Sequence, residues 1–337
     1  MRNDLKKLSK YKPAPNSLIN LAQNENYFLN WQEYLSDQEL LAIRDLNFGF
    51  YGNNYHDELV SEYAKIYNID KNMICPSAGS DSMIGMVFSA LTLNKIAAFE
   101  VDFFRYEEAA LIAQRELKTI NNNASAEKIA SFIDDNNIEL FILSNPNNPQ
   151  STLKSKEYIV DLLNSTSAYI VLDEAYVEYA SVDCLDLLSQ YDNLLILRTL
   201  SKAWGLAALR IGFVLANEKL LDFVDTVKGP FTLSDVNSLI ASKALKHIDH
   251  FKTKRSELIV IRDDFKQFLK KFEQFDVYDS ETNFVYFTFD KAEHLHAYLK
   301  DNNIIVSKFN NGLRITIGTT ELMNITKETI NKYFSNC

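Results

Sequence analysis

Between residues 96 and 216, short apolar runs alternate with longer polar and amphipathic stretches. The apolar runs predict buried strands at 96–100, 118–120, 139–143, 168–172, 194–197 and 211–216. Amphipathic stretches predict helices near 37–45, 58–67 and 125–136. Strands that are separated by helices form mostly parallel sheets with right-handed crossovers, so this part of the chain is predicted to be an α/β domain.

From residue 217 onward the pattern changes to longer helices, near 217–227, 235–248 and 250–273, followed by an alternating strand at 282–288. A helix at 292–302 and two further strands precede a final helix. This order is typical of a smaller α+β domain. We therefore predict a large domain over 45–245, with an N-terminal arm and a small domain formed by 1–44 and 246–337.

Composition narrows the class of protein. With 337 residues, of which 47% are hydrophobic, the chain can bury a large core. It has no apolar run long enough to span a bilayer and no apolar secretory segment, so we expect a cytoplasmic protein without a membrane partner. A net charge of −10 with scattered signs argues against nucleic-acid binding. Cys75, Cys184 and Cys337 share no metal-ligand spacing, so we expect reduced thiols and no metal.

A lysine lies between two predicted strands, on the segment from Arg198 to Gly212. Burial disfavours a charged amine, so the pKa of Lys202 should fall and the amine should become able to condense with an aldehyde. Thr199, Ser201 and Arg210 supply hydroxyl and guanidinium donors for a phosphate dianion. An aldehyde that carries a phosphate is pyridoxal 5′-phosphate. The alternative is a lysine solvated on an ordinary loop.

Two further segments favour a bound phosphate and a bound ring. Gly79, Ser80 and Asp81 precede a predicted helix, whose free N–H groups and positive dipole end suit a phosphate, although such a turn is also an ordinary helix cap. Asp173 ends the strand at 168–172, at the edge where ligands bind in open α/β sheets. A carboxylate beside a pyridinium nitrogen keeps the ring protonated, although an Asp-Glu pair also caps helices or binds magnesium.

The segment from Ser201 to Gly212 resembles the lysine signature of the class I/II aminotransferases of fold type I, and is most similar to their histidinol-phosphate aminotransferase branch. The resemblance extends over nearly the whole chain. It implies the fold of the type I pyridoxal-phosphate transferases, an α/β fold whose large domain has a mostly parallel sheet between helices and whose smaller domain is α+β. It also implies pyridoxal 5′-phosphate as the cofactor and a homodimer with active sites at the interface.

The same resemblance assigns residues to the cofactor. The loop from Ser144 to Thr152 is similar to the family's Asn-Pro-Asn-Asn-Pro-Thr-Gly loop, which implies that Asn148, together with Tyr176, binds the phenolic oxygen of the ring. The segment 101–106 stands where the family has Pro-Thr-(Tyr/Phe)-x-x-Tyr, so Phe103 is expected to stack on the ring, with Phe104 as the alternative. Tyr51 is expected to cross the dimer interface to the partner's cofactor phosphate.

Substrate residues are assigned in the same way. Arg314 matches the arginine that binds the substrate carboxylate or its equivalent, with a structural ion pair as the competing explanation. The segment that holds Asn24 and Tyr27 is similar to one that lies across the substrate entrance. Where the histidinol-phosphate branch has an arginine for the substrate phosphate, this chain has Ser307, so we expect Lys308 beside it to contact the substrate.

The resemblance implies a pyridoxal-phosphate-dependent aminotransferase in which Lys202 is the general base and acid. The expected amino donor is glutamate, and the acceptor is a keto compound such as imidazole-acetol phosphate. A different small phosphorylated ketone, an ordinary amino acid or decarboxylation of an amino-acid phosphate stays open. A regulatory protein with this fold would not need Lys202, Asp173 and Arg314 together, and the motifs of P-loop and dinucleotide-binding proteins are absent from the sequence.

Overall fold

The computed structural model describes residues 2–8, 19–51 and 55–335. Its α-helices are α1 (Trp31–Tyr34), α2 (Asp37–Leu41), α3 (Tyr55–Tyr67), α4 (Ser80–Leu91), α5 (Arg105–Ile112), α6 (Ala126–Asn136), α7 (Lys156–Ser165), α8 (Glu218–Val227), α9 (Asp235–Leu245), α10 (Ile248–Leu269), α11 (Ala292–Asp301) and α12 (Thr320–Ser335). Its strands are β1 (Ile19–Leu21), β2 (Ile74–Ser77), β3 (Lys95–Phe99), β4 (Glu116–Ile120), β5 (Leu140–Ser144), β6 (Tyr169–Asp173), β7 (Leu194–Thr199), β8 (Gly212–Leu215), β9 (Asp276–Val277), β10 (Phe284–Thr288), β11 (Ile304–Phe309) and β12 (Gly312–Thr316).

The larger sheet of the described chain has the order β2-β8-β7-β6-β5-β3-β4. All of its neighbouring pairs are parallel except those that β8 makes with β7 and β2, which are antiparallel. Alternate residues of β5 join two separate cores: Phe141 packs with the inner faces of α6 and α7, and Ile142 packs with α4, α5 and α8. Because helices cover both faces, the central strands are apolar except at their carboxyl ends, where Ser144, Asp173 and Arg198-Thr199 lie.

The register of the parallel strands brings several loops to one edge of this sheet. Ser144 at the end of β5 pairs with Asp173 at the end of β6, and Asp173 pairs with Leu197 of β7. The segments that follow β3, β5, β6 and β7 therefore start side by side. Ligands bind at this carboxyl edge in open α/β sheets.

The smaller sheet has the order β1-β11-β12-β10-β9, with β1 parallel to β11 and the other pairs antiparallel. Arg314 lies at the centre of β12, between Tyr286 of β10 and Ser307 of β11. Helices α10, α11 and α12 pack on this sheet. The mostly parallel sheet between helices and the second α+β sheet confirm the predicted fold class.

Three strands were not expected from the sequence: β1, β2 and the two-residue β9. β1 lies in the predicted N-terminal arm, for which no strand was predicted, and its place depends on pairing with β11, nearly three hundred residues later. β2 contains Pro76, which disfavours a strand assignment, but β2 is an edge strand, where proline is tolerated because no donor is needed. Within the described ranges, no helix has both the length and the apolarity required to cross a membrane.

Candidate active site

A cavity of about 660 Å³ is lined both by the carboxyl edge of the larger sheet and by residues of β11 and β12. Most of the side chains predicted for the site line this one cavity: Asn24, Ser80, Asp81, Phe103, Asn148, Asp173, Tyr176, Ser201, Lys202, Arg210 and Arg314. Phe104, the alternative to Phe103, also lines it. The sequence positions span almost the whole chain, so the cavity exists only in the folded protein.

Lys202 lies in the turn after β7 with its amine inside the cavity. The Nζ atom donates a hydrogen bond of 3.1 Å to the carbonyl oxygen of Gln23. Burial and then the nearby guanidinium of Arg314 lower the pKa of Lys202 to about 8. A substantial fraction of this amine is therefore neutral, and nucleophilic, a little above neutral pH.

The turn that carries Lys202 is anchored by Trp204. This indole is fully buried and is stacked on Phe251, with a ring-centroid distance of 4.0 Å. Its Nε1 donates to the Tyr67 hydroxyl at 3.0 Å, and its carbonyl oxygen accepts a hydrogen bond of 2.6 Å from Trp31 Nε1. Because these contacts lie two residues beyond Lys202, they restrict the backbone from which the lysine side chain extends.

The start of α4 and the guanidinium of Arg210 face the same part of the cavity. Gly79, the residue before α4, has a φ of 79°, which favours glycine. A Cβ atom at this position would lie 2.8 Å from Nη2 of Arg210, so a larger residue would push the guanidinium away from its present position. Ser80 and Asp81 begin the helix and line the cavity, and the Asp81 carboxylate pairs with Arg105 at 3.3 Å.

Thr199 and Ser201 shape the turn on the other side of Arg210. The Thr199 hydroxyl accepts a 3.1 Å hydrogen bond from the Ser201 N–H and donates one of 3.2 Å to the Ile211 carbonyl oxygen. Thr199 is buried behind the cavity wall, whereas Ser201 lines the cavity within 3.5 Å of Arg210 Nη1. Thr199 therefore holds the turn, and Ser201 presents its hydroxyl inward.

Asp173 lies at the end of β6 with its carboxylate in the cavity. Its Oδ2 accepts a hydrogen bond of 2.9 Å from the Tyr106 hydroxyl, and its Oδ1 accepts one of 3.2 Å from the Ala175 N–H. Burial raises the pKa of Asp173 to about 6, while these two donors oppose the rise. The group is therefore mainly a carboxylate at neutral pH.

Arg314 of β12 places its positively charged guanidinium in the part of the cavity wall that the smaller sheet forms. Its Nη1 donates to Oδ1 of Asn148, and its Nη2 donates to the Ala22 carbonyl oxygen at 2.7 Å and to the Ser307 hydroxyl at 3.0 Å. The guanidinium carbon lies 5.2 Å from the ring centroid of Phe284. Nε of Arg314 is buried and has no hydrogen-bond partner among the described residues. No carboxylate of the described chain pairs with it, so the competing explanation of a structural ion pair finds no support.

Asn24 and Tyr176 meet at the boundary between the two sheets. The Asn24 Nδ2 donates a hydrogen bond of 2.8 Å to the Tyr176 hydroxyl, and the Asn24 carbonyl oxygen accepts one of 3.0 Å from Asn283 Nδ2. The N–H of Asn24 donates to the Thr316 hydroxyl at 3.1 Å. The segment that follows β1 is thereby held in the cavity wall.

Lys308 is not in this cavity, which corrects the prediction that it contacts the substrate. Successive side chains of a strand point to opposite faces, and in β11 it is Ser307 that faces Arg314 and the cavity. Lys308 points away and forms an ion pair with the exposed Glu293.

Two predicted tyrosines also lie outside the cavity lining. The Tyr27 hydroxyl donates to the carbonyl oxygen of Asn20, so the ring covers the back of the segment that carries Asn24. Tyr51 is 80% exposed and stacks on Phe231 with a centroid distance of 4.6 Å. Gly52, which follows Tyr51, lies outside the described residues.

Comparison with known proteins agrees with this site. Residues 16–330 match the family model described as aminotransferase class I and II. The chain belongs to the class I and II aminotransferase family. A histidinol-phosphate aminotransferase of Clostridium kluyveri is 31% identical over 317 residues, which cover 90% of this chain and 89% of that protein. As a member of this family, the chain is a pyridoxal-phosphate-dependent transaminase.

Solved structures of aminotransferases and of decarboxylases share the fold. The histidinol-phosphate aminotransferase of Sinorhizobium meliloti in complex with pyridoxal 5′-phosphate superposes with a TM-score of 0.85, at 20% identity, over 99% of this chain and 98% of that one. The L-threonine-O-3-phosphate decarboxylase of Porphyromonas gingivalis gives a TM-score of 0.80 at 22% identity, over 94% of this chain and 100% of that one.

The cofactor of class I and II aminotransferases fits the residues of this cavity. Pyridoxal 5′-phosphate presents an aldehyde, a basic ring nitrogen and a phosphate. The neutral amine of Lys202 suits the aldehyde, and the buried carboxylate of Asp173 suits the nitrogen. The part of the cavity lined by Arg210 and the start of α4 suits the phosphate.

Some side chains of this aminotransferase site were missed in the sequence. Asp102 and Ser144 line the cavity, and Tyr106 binds Asp173. Tyr106 is the final tyrosine of the 101–106 pattern, so the sequence pattern could have identified it as a residue of the site. Asp102 departs from the same pattern at its threonine, but its contacts could not be foreseen, since its partner Ser144 is far away in the sequence and becomes its neighbour only through the order of the strands.

Proposed function

We propose that this aminotransferase moves an amino group from an amino acid donor, with glutamate as the first candidate, to a small keto compound that carries an acidic group. Imidazole-acetol phosphate, the keto partner of histidinol phosphate, is the first acceptor to test. The similarity to histidinol-phosphate aminotransferases over most of both chains supports this choice. The single observation that carries the proposal is that the side chains of Lys202, Asp173 and Arg314 face one cavity.

Lys202 is proposed as the group that moves the proton. When bound, pyridoxal 5′-phosphate supplies an aldehyde for amines and a protonated ring that withdraws electrons from the amine-bearing carbon. With a pKa of about 8, the Lys202 Nζ can accept the proton from that carbon as a neutral amine and return it as an ammonium ion. The hydrogen bond from Nζ to the Gln23 carbonyl oxygen gives the amine a resting position between these transfers.

Asp173 is proposed to keep the ring nitrogen protonated. A carboxylate in a buried site stabilises a neighbouring cation strongly, and the Tyr106 hydroxyl favours the ionised form of Asp173. Asn148 and Tyr176 are proposed to bind the phenolic oxygen of the ring, and Phe103 to stack on its face.

The phosphate of the cofactor is assigned to the site formed by Gly79, Ser80, Asp81, Thr199, Ser201 and Arg210. Free N–H groups at the start of α4 and the Arg210 guanidinium supply the donors, and Ser201 adds a hydroxyl. Thr199 acts indirectly by holding the Ser201 turn.

Arg314 is proposed to bind the acidic group of the substrate. The hydrogen-bond partners of its guanidinium are neutral groups, and its Nε has no partner among the described residues. An incoming carboxylate or phosphate would therefore meet a cation whose charge is not neutralised. Ser307 stands beside it where the histidinol-phosphate branch has a second arginine, so a substrate phosphate would bind here with fewer charged contacts than in that branch. Asn24 is proposed to border the substrate.

The enzyme is also proposed to be a cytoplasmic homodimer. Phe48, Phe50 and Tyr51 are 77%, 73% and 80% exposed, and Tyr51 stacks on the exposed Phe231. Exposed aromatic clusters of this kind mark contacts between proteins. We propose that a second copy covers this cluster and that Tyr51 there reaches the cofactor phosphate of its partner. Sedimentation velocity should show a dimer, and a monomer would refute this part of the proposal. A cofactor titration should show weaker binding in Tyr51→Ala than in the wild type.

The function is tested by mixing cofactor-loaded protein with L-glutamate, histidinol phosphate, L-phenylalanine or O-phospho-L-threonine in separate experiments. Absorbance reports the state of the cofactor, and mass spectrometry and gas detection report keto product and CO₂. We expect glutamate and at least one other amine to convert the cofactor, with one keto product for each cofactor converted and no CO₂. Release of CO₂ without a keto acid would instead establish the decarboxylase alternative.

A further inference from the structure

A third acidic side chain lines the cavity besides Asp81 and Asp173, and the steps described above do not use it. Asp102 follows β3 and stands where the family pattern quoted above has threonine. Burial raises the pKa of Asp102 to about 8, and the negative charge of Asp173 contributes to the rise. Burying an acidic group costs free energy, which hydrogen bonds to that group can offset.

The contacts of Asp102 are directed at the Asn-Pro loop. Its Oδ2 accepts a hydrogen bond of 3.2 Å from the Ser144 N–H, and its Oδ1 accepts one from the Ser144 hydroxyl. The N–H of Phe103 donates to the same Oδ1 at 2.8 Å. Asp102 therefore binds both polar groups at the point where β5 ends and the loop begins.

Ser144 passes this constraint on to the loop. With its proton directed at Asp102, the Ser144 hydroxyl oxygen accepts a hydrogen bond of 3.0 Å from the Asn148 N–H and a weaker one of 3.4 Å from Asn147 Nδ2. Asn147 Nδ2 also donates to the Val101 carbonyl oxygen at 3.2 Å, beside Asp102. The backbone position of Asn148 is thus linked to Asp102 through one hydroxyl group.

We propose that Asp102 is a positioning residue: through Ser144 it fixes the loop that presents Asn148 to the cofactor. The inference rests on the role proposed above for Asn148. A threonine at position 102 has one oxygen and cannot accept from the Ser144 hydroxyl and the Ser144 N–H in the way a carboxyl group does. The two oxygens of the Asp102 carboxyl group therefore suit it to hold both the N–H and the hydroxyl of Ser144.

The proposal also makes cofactor binding depend on pH. The groups that face Asp102 are the Ser144 hydroxyl from β5, Asp173 from β6 and the Tyr106 hydroxyl, which belongs to α5 and binds Asp173. An ionised acceptor makes stronger hydrogen bonds than a neutral one, so ionisation of Asp102 tightens its hold on Ser144. The advantage of aspartate over asparagine at position 102 should therefore grow as the pH rises through about 8.

The test measures the affinity of the cofactor-free protein for pyridoxal 5′-phosphate by absorbance. We expect Asp102→Ala and Ser144→Ala each to weaken binding about tenfold, as the loss of one or two hydrogen bonds predicts. The double variant should also be about tenfold weaker, because both residues act through one path. Glu100→Gln removes an exposed carboxylate two residues earlier and should leave the affinity unchanged.

Three results would overturn the inference. The first is an unchanged affinity in Asp102→Ala, and the second is a loss of affinity in the double variant that equals the product of the losses in the single variants. The third is a ratio of wild-type to Asp102→Asn affinity that stays constant between pH 6.5 and 9.

Asn148→Ala separates this inference from the proposed function. If Asn148→Ala binds the cofactor normally, the proposed role of Asn148 fails, and the path assigned to Asp102 fails with it. If Asn148→Ala weakens binding and Asp102→Ala does not, only the inference about Asp102 is wrong. If thermal unfolding shows that Asp102→Ala does not fold, Asp102→Asn replaces it in every comparison.

Discussion

The Tyr106 hydroxyl donates a hydrogen bond of 2.9 Å to Oδ2 of Asp173, which joins α5 to the end of β6 inside the cavity. This donor stabilises the carboxylate form of Asp173, which burial alone would disfavour. The proposed role of Asp173 requires that carboxylate, so Tyr106 should widen the pH range of the enzyme on the acid side.

Tyr106→Phe should therefore raise the pKa of Asp173 above its value of about 6. We expect the acid limb of the pH profile for cofactor binding by the cofactor-free protein to move upward by about one pH unit, the shift that loss of a hydrogen bond to a charged group produces. Tyr158→Phe is the matched control, because its hydroxyl bonds the Ala124 carbonyl oxygen at 2.8 Å, outside the cavity lining. An acid limb that does not move in Tyr106→Phe would contradict this account of Asp173.

The buried pair of Glu174 and Arg198 should matter for stability. Both side chains are almost completely buried, and Arg198 donates to Oε2 of Glu174 from Nε at 2.9 Å and from Nη2 at 2.7 Å. Glu174→Ala leaves the guanidinium without its main partner and should lower the free energy of unfolding by about 3–5 kcal/mol. Urea denaturation measures this loss. Glu257→Ala breaks the exposed pair with Lys254 and should change stability by less than about 0.5 kcal/mol, and equal losses in both variants would refute the prediction.

Substrate binding should depend on Arg314 and not on Lys308. Arg314→Ala should lower kcat/KM for the acidic substrate by at least about 100-fold, since removal of a buried charged contact costs about 3 kcal/mol or more. Lys308→Ala should leave kcat/KM within about twofold, because its ammonium group pairs with Glu293 away from the cavity. Steady-state kinetics with glutamate checks both variants. A large loss in Lys308→Ala would restore the original prediction for that residue.

The two buried aspartates of the cavity should contribute a loss of stability to the cofactor-free protein as the pH rises from 5 to 9. Asp102 and Asp173 have folded-state pKa values of about 8 and about 6, above the ordinary value for aspartate. A raised acid pKa contributes stability that is fully present below the unfolded-state pKa and is lost as the pH rises through the folded-state value. Thermal unfolding across this range should show a shallower decline in Asp102→Asn than in the wild type. Parallel curves would indicate that the carboxyl of Asp102 is not held neutral by the fold.

The sequence predicted those features that depend on local pattern. Short apolar runs located β5, β6 and β7, and polar motifs directly after them placed Asn148, Asp173 and Lys202 at one edge, because parallel strands end together. β1 could not be recognised in this way, since it is a strand only through its pairing with β11.

The errors in the site have a physical cause. Adjacent residues of a strand face opposite sides, and composition did not determine whether Ser307 or Lys308 faces the cavity; the partners on β12 did. Asp102 was missed because its proposed role depends on Ser144, which becomes its neighbour only when the strands are assembled. The predicted domain boundaries and the roles of individual residues remain predictions.

The central claim is that the Lys202 amine carries the cofactor, and chemical trapping tests it most directly. The loaded protein is reduced with borohydride, digested and analysed by mass spectrometry to locate the pyridoxyl group. The account predicts one modified peptide, with the group on Lys202, and no modification in Lys202→Ala. A pyridoxyl group on another lysine, or an unmodified protein that still transfers amino groups, would contradict it.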